Sequence, residues 1–579
     1  MSKINSLKLA IGCSVLGIGL ITACKKDSAV TVEKVYNVTP PTDVQTPASI
    51  GFFADEWEAK SFAAPAYDFT TAPILREEVI INADFSQTVA KVSRNIFGTN
   101  TNTYIGQMVT EPALMGHLKE LSPNVIRFPG GNISSVYFWN KDFGTKPVDS
   151  PDTILYADGR ALAKESYWAG KNTPDWSLSL ENYYNTLQQT GSKGMITVNY
   201  GYARYGTGAH PDRDAAHLAA EWVRHDKGKT KFWEIGNESS GPWQAGFKID
   251  LKKNKDGQPE IINGTIYGKH FKVFADSMRK AAAEVGATIK IGAQLIHFDA
   301  ANTWNVPDRT WNAEFFAQAG NAADFFIIHD YYTPLGSNTG AADILNSAAS
   351  VTPKMMAWLK TSTAAAGVQM KPVALTEWNI GAEGSKQMVS HVAGMHAAIV
   401  LGELVKNNYG MASRWGVANG YANGNDHGMF SLGDEGDGTA KWTPRPAFYY
   451  MYFFQKYFGD RMVNSTVTGN SDVLSYASGY SKTGDAGFVL VNKGTNNLRA
   501  LVKIQNFQPG ARYYIYELTG DGSDFSRKVL VNGVGPSGTS GGPANYKDLK
   551  AKSAPLKTNV LKLTLPARSV VYLSVDTKK

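Results

Sequence analysis

The chain has 579 residues, 43% of them hydrophobic and 19% charged, which is several times the usual domain size and excludes disorder as a description of the whole. Its 58 Lys and Arg against 51 Asp and Glu leave a net charge of only +7 with no basic block, which excludes nucleic acid as the main partner. The 56 Gly and 25 Pro follow no short period, which excludes collagen-like and solenoid architectures.

The only two cysteines are Cys13 and Cys24. Lys3 and Lys8 precede an apolar stretch from Leu9 to Ala23, about 15 residues long and too short for an ordinary membrane span. The stretch ends Leu20-Ile21-Thr22-Ala23-Cys24, which resembles a bacterial lipobox. The resemblance implies that residues 1–24 form a lipoprotein signal peptide with Cys24 as the lipidated residue. The protein is then expected in the bacterial cell envelope (outer membrane, periplasmic or surface face), touching membrane only through that anchor. Residues 25–48 are polar and rich in Pro and Thr, and read as a flexible tether.

Residues 49–92 form an N-terminal segment whose strand EEVIINADF (77–85) is expected to pair into a later sheet. From 93 to 458, short apolar runs alternate with helical patterns. The runs are NIFGTN (95–100), NVIRF (124–128), MITVNY (195–200), KFWEIG (231–236), IKIGAQL (289–295), FFIIHDYY (325–332), VALTEW (373–378) and SRWGVA (413–418). Helical periodicity lies between them at 213–225, 270–286 and 391–407. Eight such runs predict a (β/α)8 TIM barrel over 93–458; an open doubly wound sheet is the alternative, but no Gly-rich phosphate loop opens a helix. Residues 459–579 change style to alternating strands with Gly, Asn and Pro turns, predicting an antiparallel β-sandwich. The fold class is therefore α/β, a TIM barrel with a C-terminal antiparallel β-sandwich domain.

Catalytic groups in such a barrel sit where strands end. The fourth run leads into Asn237-Glu238 and the seventh into Thr376-Glu377-Trp378. Strands four and seven face each other across the mouth. Glycosidic cleavage needs one carboxylic acid for the leaving oxygen and a second carboxylate at the anomeric carbon. Glu234 shares strand parity with Glu238 and is a rival carboxylate, read as the partner of a barrel Arg.

Four signatures occur in order: Arg127-Phe128-Pro129-Gly130-Gly131-Asn132, then Gly236-Asn237-Glu238 with Gly241-Pro242-Trp243-Gln244, then His329-Asp330-Tyr331-Tyr332, then Thr376-Glu377-Trp378-Asn379. Together they resemble clan A of the retaining glycoside hydrolases, with wording most similar to the family 51 α-L-arabinofuranosidases. The resemblance implies Glu238 as general acid/base and Glu377 as nucleophile. It implies a substrate-binding set of Arg127, Asn132, Asn237, His329 and Tyr331. Asn237 would bond the hydroxyl next to the anomeric carbon and Tyr331 would orient Glu377. Arg127 would favour the ionised Glu377, while Glu238 would need a raised pKa. Two readings stay open for three residues. Arg127 is a structural ion pair or a substrate contact, Asn132 a turn residue or a subsite residue, and His329 a packed core histidine or a sugar contact.

Two features depart from the family. The stretch Gly98-Thr99-Asn100-Thr101-Asn102-Thr103-Tyr104 lacks the carboxylate that family 51 carries after strand one. An insertion over 133–180 carries Trp139, Trp168 and Trp176, and reads either as the wall of an extended cleft or as a self-packed loop. No cofactor or metal is expected. His391 and His396 are five apart, and the acidic turn Asp434-Glu435-Gly436-Asp437-Gly438 reads as a solvated turn before a calcium site. The reading is a retaining glycosidase acting on plant or algal polysaccharide or its oligosaccharides, first as an exo-acting α-L-arabinofuranosidase. The alternatives are an endo-acting clan A glycanase on β-glycan or galactan and a non-catalytic surface glycan-binding protein.

Overall fold

The computed structural model describes residue 36 and residues 38–577, apart from 75, 158–160 and 163–165. The expected signal peptide, Cys24 and the first part of the tether lie outside the described residues. No helix among the described residues is long and apolar enough to cross a membrane.

Eight parallel strands close into a barrel: β1 (Gly98–Asn100), β2 (Val125–Phe128), β3 (Lys193–Val198), β4 (Thr230–Ile235), β5 (Lys290–Gln294), β6 (Phe325–Tyr331), β7 (Val373–Asn379) and β8 (Met411–Arg414). Closure is made by β8 against β1, with Ser413 opposite Gly98 and Arg414 opposite Thr99. These strands are buried on both sides, which is why they read as continuous apolar runs. The eighth differs from its predicted position. It ends at Arg414, because Trp415 has left the barrel wall to line the mouth.

The barrel interior is filled from below. Val125, Met195, Phe232, Phe325, Ala374 and Met411 meet Phe53, which is delivered by the turn Gly51–Ala54. Phe53 packs on Phe232 at 5.3 Å and edge-on to Phe325 at 5.5 Å. The amino end of the barrel is thus plugged by aromatics and only the carboxyl end is open. Outside, amphipathic helices cover the strands. The helix Gly264–Glu284 starts at Asn263, whose side chain accepts from the Ile266 amide, and buries Tyr267, Phe271, Phe274 and Met278 at helical spacing.

An eleven-stranded, mainly antiparallel sheet lies beside the barrel. It includes two strands from before the barrel. Val79–Lys91 runs antiparallel to Arg461–Thr468 and parallel to Leu498–Gln505, and Tyr67–Phe69 runs parallel to Ala551–Pro555. One face encloses a separate core of Ile81, Phe85, Phe488, Leu490, Val571 and Leu573. The alternate residues Val489, Val491, Val570 and Tyr572 point the other way and join the main core. Tyr572 donates to the Tyr450 carbonyl at 2.7 Å, tying the sheet to the helix Pro446–Tyr457.

Candidate active site

Below the open mouth lies a cavity of about 810 Å³, lined by Glu238, Glu377, Asn132, His329 and Tyr331 together with aromatic side chains. Each arrives for a local reason. The chain leaves β4 through Gly236 (φ +79°) and Glu238 (φ +42°), both in the left-handed region. For Glu238 this conformation is costly and marks a position held by its surroundings. Gln294 at the end of β5 supplies the hold, donating to the Gly236 carbonyl at 2.7 Å and accepting from the Ser239 amide at 2.9 Å. A Cβ on Gly236 would lie 2.6 Å from Ser239 Oγ and 2.8 Å from Tyr200 Cβ. Gly236→Ala is therefore expected to lower kcat by on the order of 10²-fold through misplacement of Glu238. Comparing its activity and its unfolding curve with the parent checks this, since a stability loss alone would leave kcat per folded molecule intact.

Glu377 lies within β7 and is almost wholly buried. Opposite it in register is His329 of β6, where a shift between Ile328 and His329 re-aims the ring. His329 Nδ1 lies 2.9 Å from Glu377 Oε2 and 3.0 Å from Glu238 Oε1, and Nε2 lies 3.0 Å from Thr376 Oγ1. The three donor atoms of Glu238, His329 and Glu377 all lie within 4.8 Å of one another. Burial pulls the imidazolium down, but the Glu377 charge and the bonds to Glu238 and Glu377 outweigh it and push His329 up to about 9. At neutral pH the ring is a cation donating to both carboxylates.

This overturns one expectation. Glu238 is not raised. Burial pushes it up, but the His329 bond and charge, then the Trp243 indole, hold it below the usual carboxylate range. Trp243 Nε1 donates to Glu238 Oε2 at 2.7 Å. The exchangeable proton therefore rests on His329, one hydrogen bond away from Glu238, and the cluster titrates as a unit. Because the folded value of His329 (about 9) exceeds its ordinary 6.5, its contribution to stability is complete below pH 6.5 and is lost as pH rises through 9. Denaturation midpoints should fall between those pH values, and His329→Asn should flatten that decline.

Arg127 is fully buried beneath the cavity. Its Nε donates to Glu234 Oε2 at 2.5 Å, Nη1 to Asn100 Oδ1 at 3.0 Å and Nη2 to Asn237 Oδ1 at 2.7 Å. Nη1 also lies 4.0 Å from Glu377 Oε2. Of its two readings the ion pair holds, and direct substrate contact is corrected, because every guanidinium nitrogen is engaged by protein. Glu234, which also accepts from Thr197 Oγ1 at 2.7 Å, is the counter-ion and no rival catalyst. Asn237 is buried next to Glu238 and bonded to Arg127, and its Nδ2 has no protein partner. Asn132 stands at the rim, where its Oδ1 accepts from Gln244 Nε2 at 2.9 Å. It follows Gly130 and Gly131 (φ +62° and +58°), and a Cβ on Gly131 would strike the Trp415 ring at 2.6 Å. Tyr331 faces Glu377; burial, then the charges of Glu377 and Glu238, push its phenol well above the ordinary value.

Of the insertion's described residues, Ile133 reaches the cavity wall. Trp139 stacks on Trp222 at 6.0 Å and donates to the Leu218 carbonyl, and Trp168 packs on Tyr104 and Trp176. None of Trp139, Trp168 and Trp176 lines it. The aromatic lining includes instead Tyr104, Trp243, Phe298, Trp304 and Trp415. Trp243 stands in a quoted motif and Trp415 follows a strand end, so sequence position could have flagged both. The strand-one stretch offers no carboxylate; Asn100 Nδ2 braces β7 and β8 through the Thr376 and Ser413 carbonyls. The acidic turn is ion-paired. Glu435 accepts from Arg445 and Ser431, and Asp437 pairs with Arg527.

Among the described residues, Glu238, His329 and Glu377 are the one group with metal-ligand proximity. A protonated His329 has no lone pair to offer a cation. Chelation is expected to leave activity unchanged, as assays before and after dialysis against EDTA would show.

The closed parallel barrel thus brings Glu238, just past its fourth strand, and Glu377, near the end of its seventh, to one open mouth. A sequence profile of the α-L-arabinofuranosidase 1 domain matches residues 117–336, less than half of the chain. The intracellular exo-α-(1→5)-L-arabinofuranosidase of Bifidobacterium longum is 25% identical over 234 residues, 39% of this chain and 35% of that protein. The chain thus matches about a third of that relative's length. Among solved structures, a family 51 α-L-arabinofuranosidase from Bifidobacterium longum superposes with a TM-score of 0.59 at 15% identity, covering 86% of this chain and all of that one. A family 44 xyloglucanase from Paenibacillus polymyxa gives 0.55 at 12% identity over 87% of this chain and all of that one. The chain is similar to the family 51 arabinofuranosidases in sequence motif and in barrel fold.

Proposed function

We propose that the protein is a retaining glycoside hydrolase, first an exo-acting α-L-arabinofuranosidase on plant or algal polysaccharide or its fragments. The observation that carries this is the pair of carboxylates, Glu238 and Glu377, with oxygens within 4.8 Å at the floor of an open cavity. That spacing suits double displacement, in which the carboxyls stand about 5–5.5 Å apart, and leaves no room for the water of an inverting enzyme. Glu377 attacks the anomeric carbon and the glycosidic C–O bond breaks. The departing oxygen takes a proton from Glu238, which has received it from His329 Nδ1 across 3.0 Å. Water then attacks the glycosyl ester, giving its proton back to Glu238 and releasing Glu377. Asn237 Nδ2, a buried donor without a protein partner, is read as the group that meets a sugar hydroxyl. The alkaline limb of kcat/KM is expected near pH 9 and should move to lower pH in His329→Asn.

The test is product sizing after incubation with arabinans, arabinoxylans, β-glucans and algal galactans. Free arabinose alone supports the exo reading. Oligosaccharides of falling length would replace it with the endo-acting glycanase, which the fold likeness to a xyloglucanase keeps in view. Binding without turnover would replace both with a glycan-binding protein. The eleven-stranded sheet, folded around its own core, is read as the β-sandwich domain, and Cys24 as a lipid anchor in the bacterial envelope. Labelled palmitate should enter the full chain and not Cys24→Ser; equal labelling would remove the anchor.

A further inference from the structure

The outer half of the cavity has a chemistry that the carboxylate pair does not use. Its rim carries four large apolar side chains that remain open to solvent, Trp243 (43% exposed), Phe298 (42%), Trp304 (74%) and Leu335 (64%). They stand above the reacting carboxylates on the loops after β4, β5 and β6. Four carboxylates line the same cavity, Glu238, Asp308, Asp330 and Glu377, and no Lys or Arg is found among its described lining residues. Two histidines face these carboxylates. His329 is shared by the catalytic pair, and His297 Nε2 lies 3.1 Å from Asp330 Oδ1. Arg309, which follows Asp308 in the chain, donates to the Thr303 carbonyl at 2.9 and 2.7 Å. Arg127 is sealed beneath the floor. An acidic cavity in a chain of net charge +7 is a local arrangement that overall composition does not impose.

We infer that the leaving-group side of the site takes a neutral sugar chain, stacked on Trp304 and Phe298, and rejects one bearing a uronate or sulfate next to the scissile bond. The inference rests on the glycosidase reading and adds the class of aglycone. Flat indole and phenyl faces match the apolar C–H faces of pyranose or furanose rings. An anionic group would enter beside Asp308 and Asp330 with no guanidinium or ammonium to receive it, and like charges in a partly desolvated cavity repel strongly.

The test uses the full chain and three substrates. These are an aryl α-L-arabinofuranoside, an arabinosyl oligosaccharide with a uronate next to the scissile bond, and the same oligosaccharide after reduction of its carboxyl to the alcohol. The neutral form is expected to be cleaved at least about tenfold better in kcat/KM. Asp308→Asn/Asp330→Asn should narrow that ratio. Trp304→Ala should cost the neutral oligosaccharide about tenfold more than the aryl substrate, mostly in KM. Calorimetric binding to Glu377→Gln reads the same preference without turnover. Equal cleavage or binding of the two oligosaccharides, or preference for the uronate, overturns the inference while leaving the activity standing. Failure to cleave the aryl arabinofuranoside, with the neutral oligosaccharide still bound in preference, overturns the activity and supports the inference. Binding of neither oligosaccharide overturns the inference, and the activity with it if the aryl arabinofuranoside is also left uncleaved.

Discussion

Glu377→Gln is expected to abolish turnover, by on the order of 10⁴-fold or more in kcat, with the fold intact. The amide cannot form the glycosyl ester, and no neighbouring carboxylate can take its place. Glu234 is held by Arg127 and Thr197 below the cavity, and Glu238 stands on the opposite side of the scissile bond. The exchange is nearly isosteric, so the hydrogen bond from His329 survives in weakened form. Kinetics on an aryl glycoside, beside a thermal unfolding curve, decide the matter, and activity within tenfold of the parent would remove Glu377 as nucleophile. The proton on His329 should become less tightly held in this variant, because the Glu377 charge is the main influence raising it.

Arg127→Met is expected to be the most destabilising single change in the barrel, by about 3–5 kcal/mol. Removing the guanidinium leaves Glu234 fully buried with Thr197 as its remaining hydrogen-bond donor, and strips Asn100 and Asn237 of their shared partner. An uncompensated buried carboxylate costs far more than the loss of a surface pair. Adding Glu234→Gln should restore part of the loss, because the neutral amide no longer needs the cation. Chemical denaturation of the two single variants and the double variant measures this. A strictly additive cycle would mean that the two residues do not act as a pair. Activity should not return with stability, since Asn237 would still lack its anchor beside Glu238.

The linear order of the sequence was enough to place the barrel. Eight apolar runs separated by helical periodicity are a local property, and strand and helix periods follow from backbone geometry alone. The carboxylates were legible for the same reason, since Glu238 and Glu377 lie within three residues of strand ends and strand ends are where a barrel opens. The aromatic rim was less visible. Trp139, Trp168 and Trp176 are the same residue type as Trp243, Trp304 and Trp415, yet Trp139 packs on Trp222, Trp168 and Trp176 pack on each other, and the latter three line the cavity. Nothing in a one-dimensional pattern says which way an insertion folds back.

The proton inventory depended on the tertiary structure even more. Sequence reasoning demands a raised pKa for the acid, because an acid must hold a proton. The structure instead brings His329 between two carboxylates that are 139 positions apart in the numbering, from Glu238 to Glu377, so that the cluster rather than the acid alone holds the proton. Chain order fixes which groups can stand at the mouth, since covalent geometry sets strand ends. Which atoms share a proton or a counter-ion is settled by distances of about 3 Å between segments remote in sequence, and electrostatic energy at that range in a buried site changes by kcal/mol over fractions of an ångström.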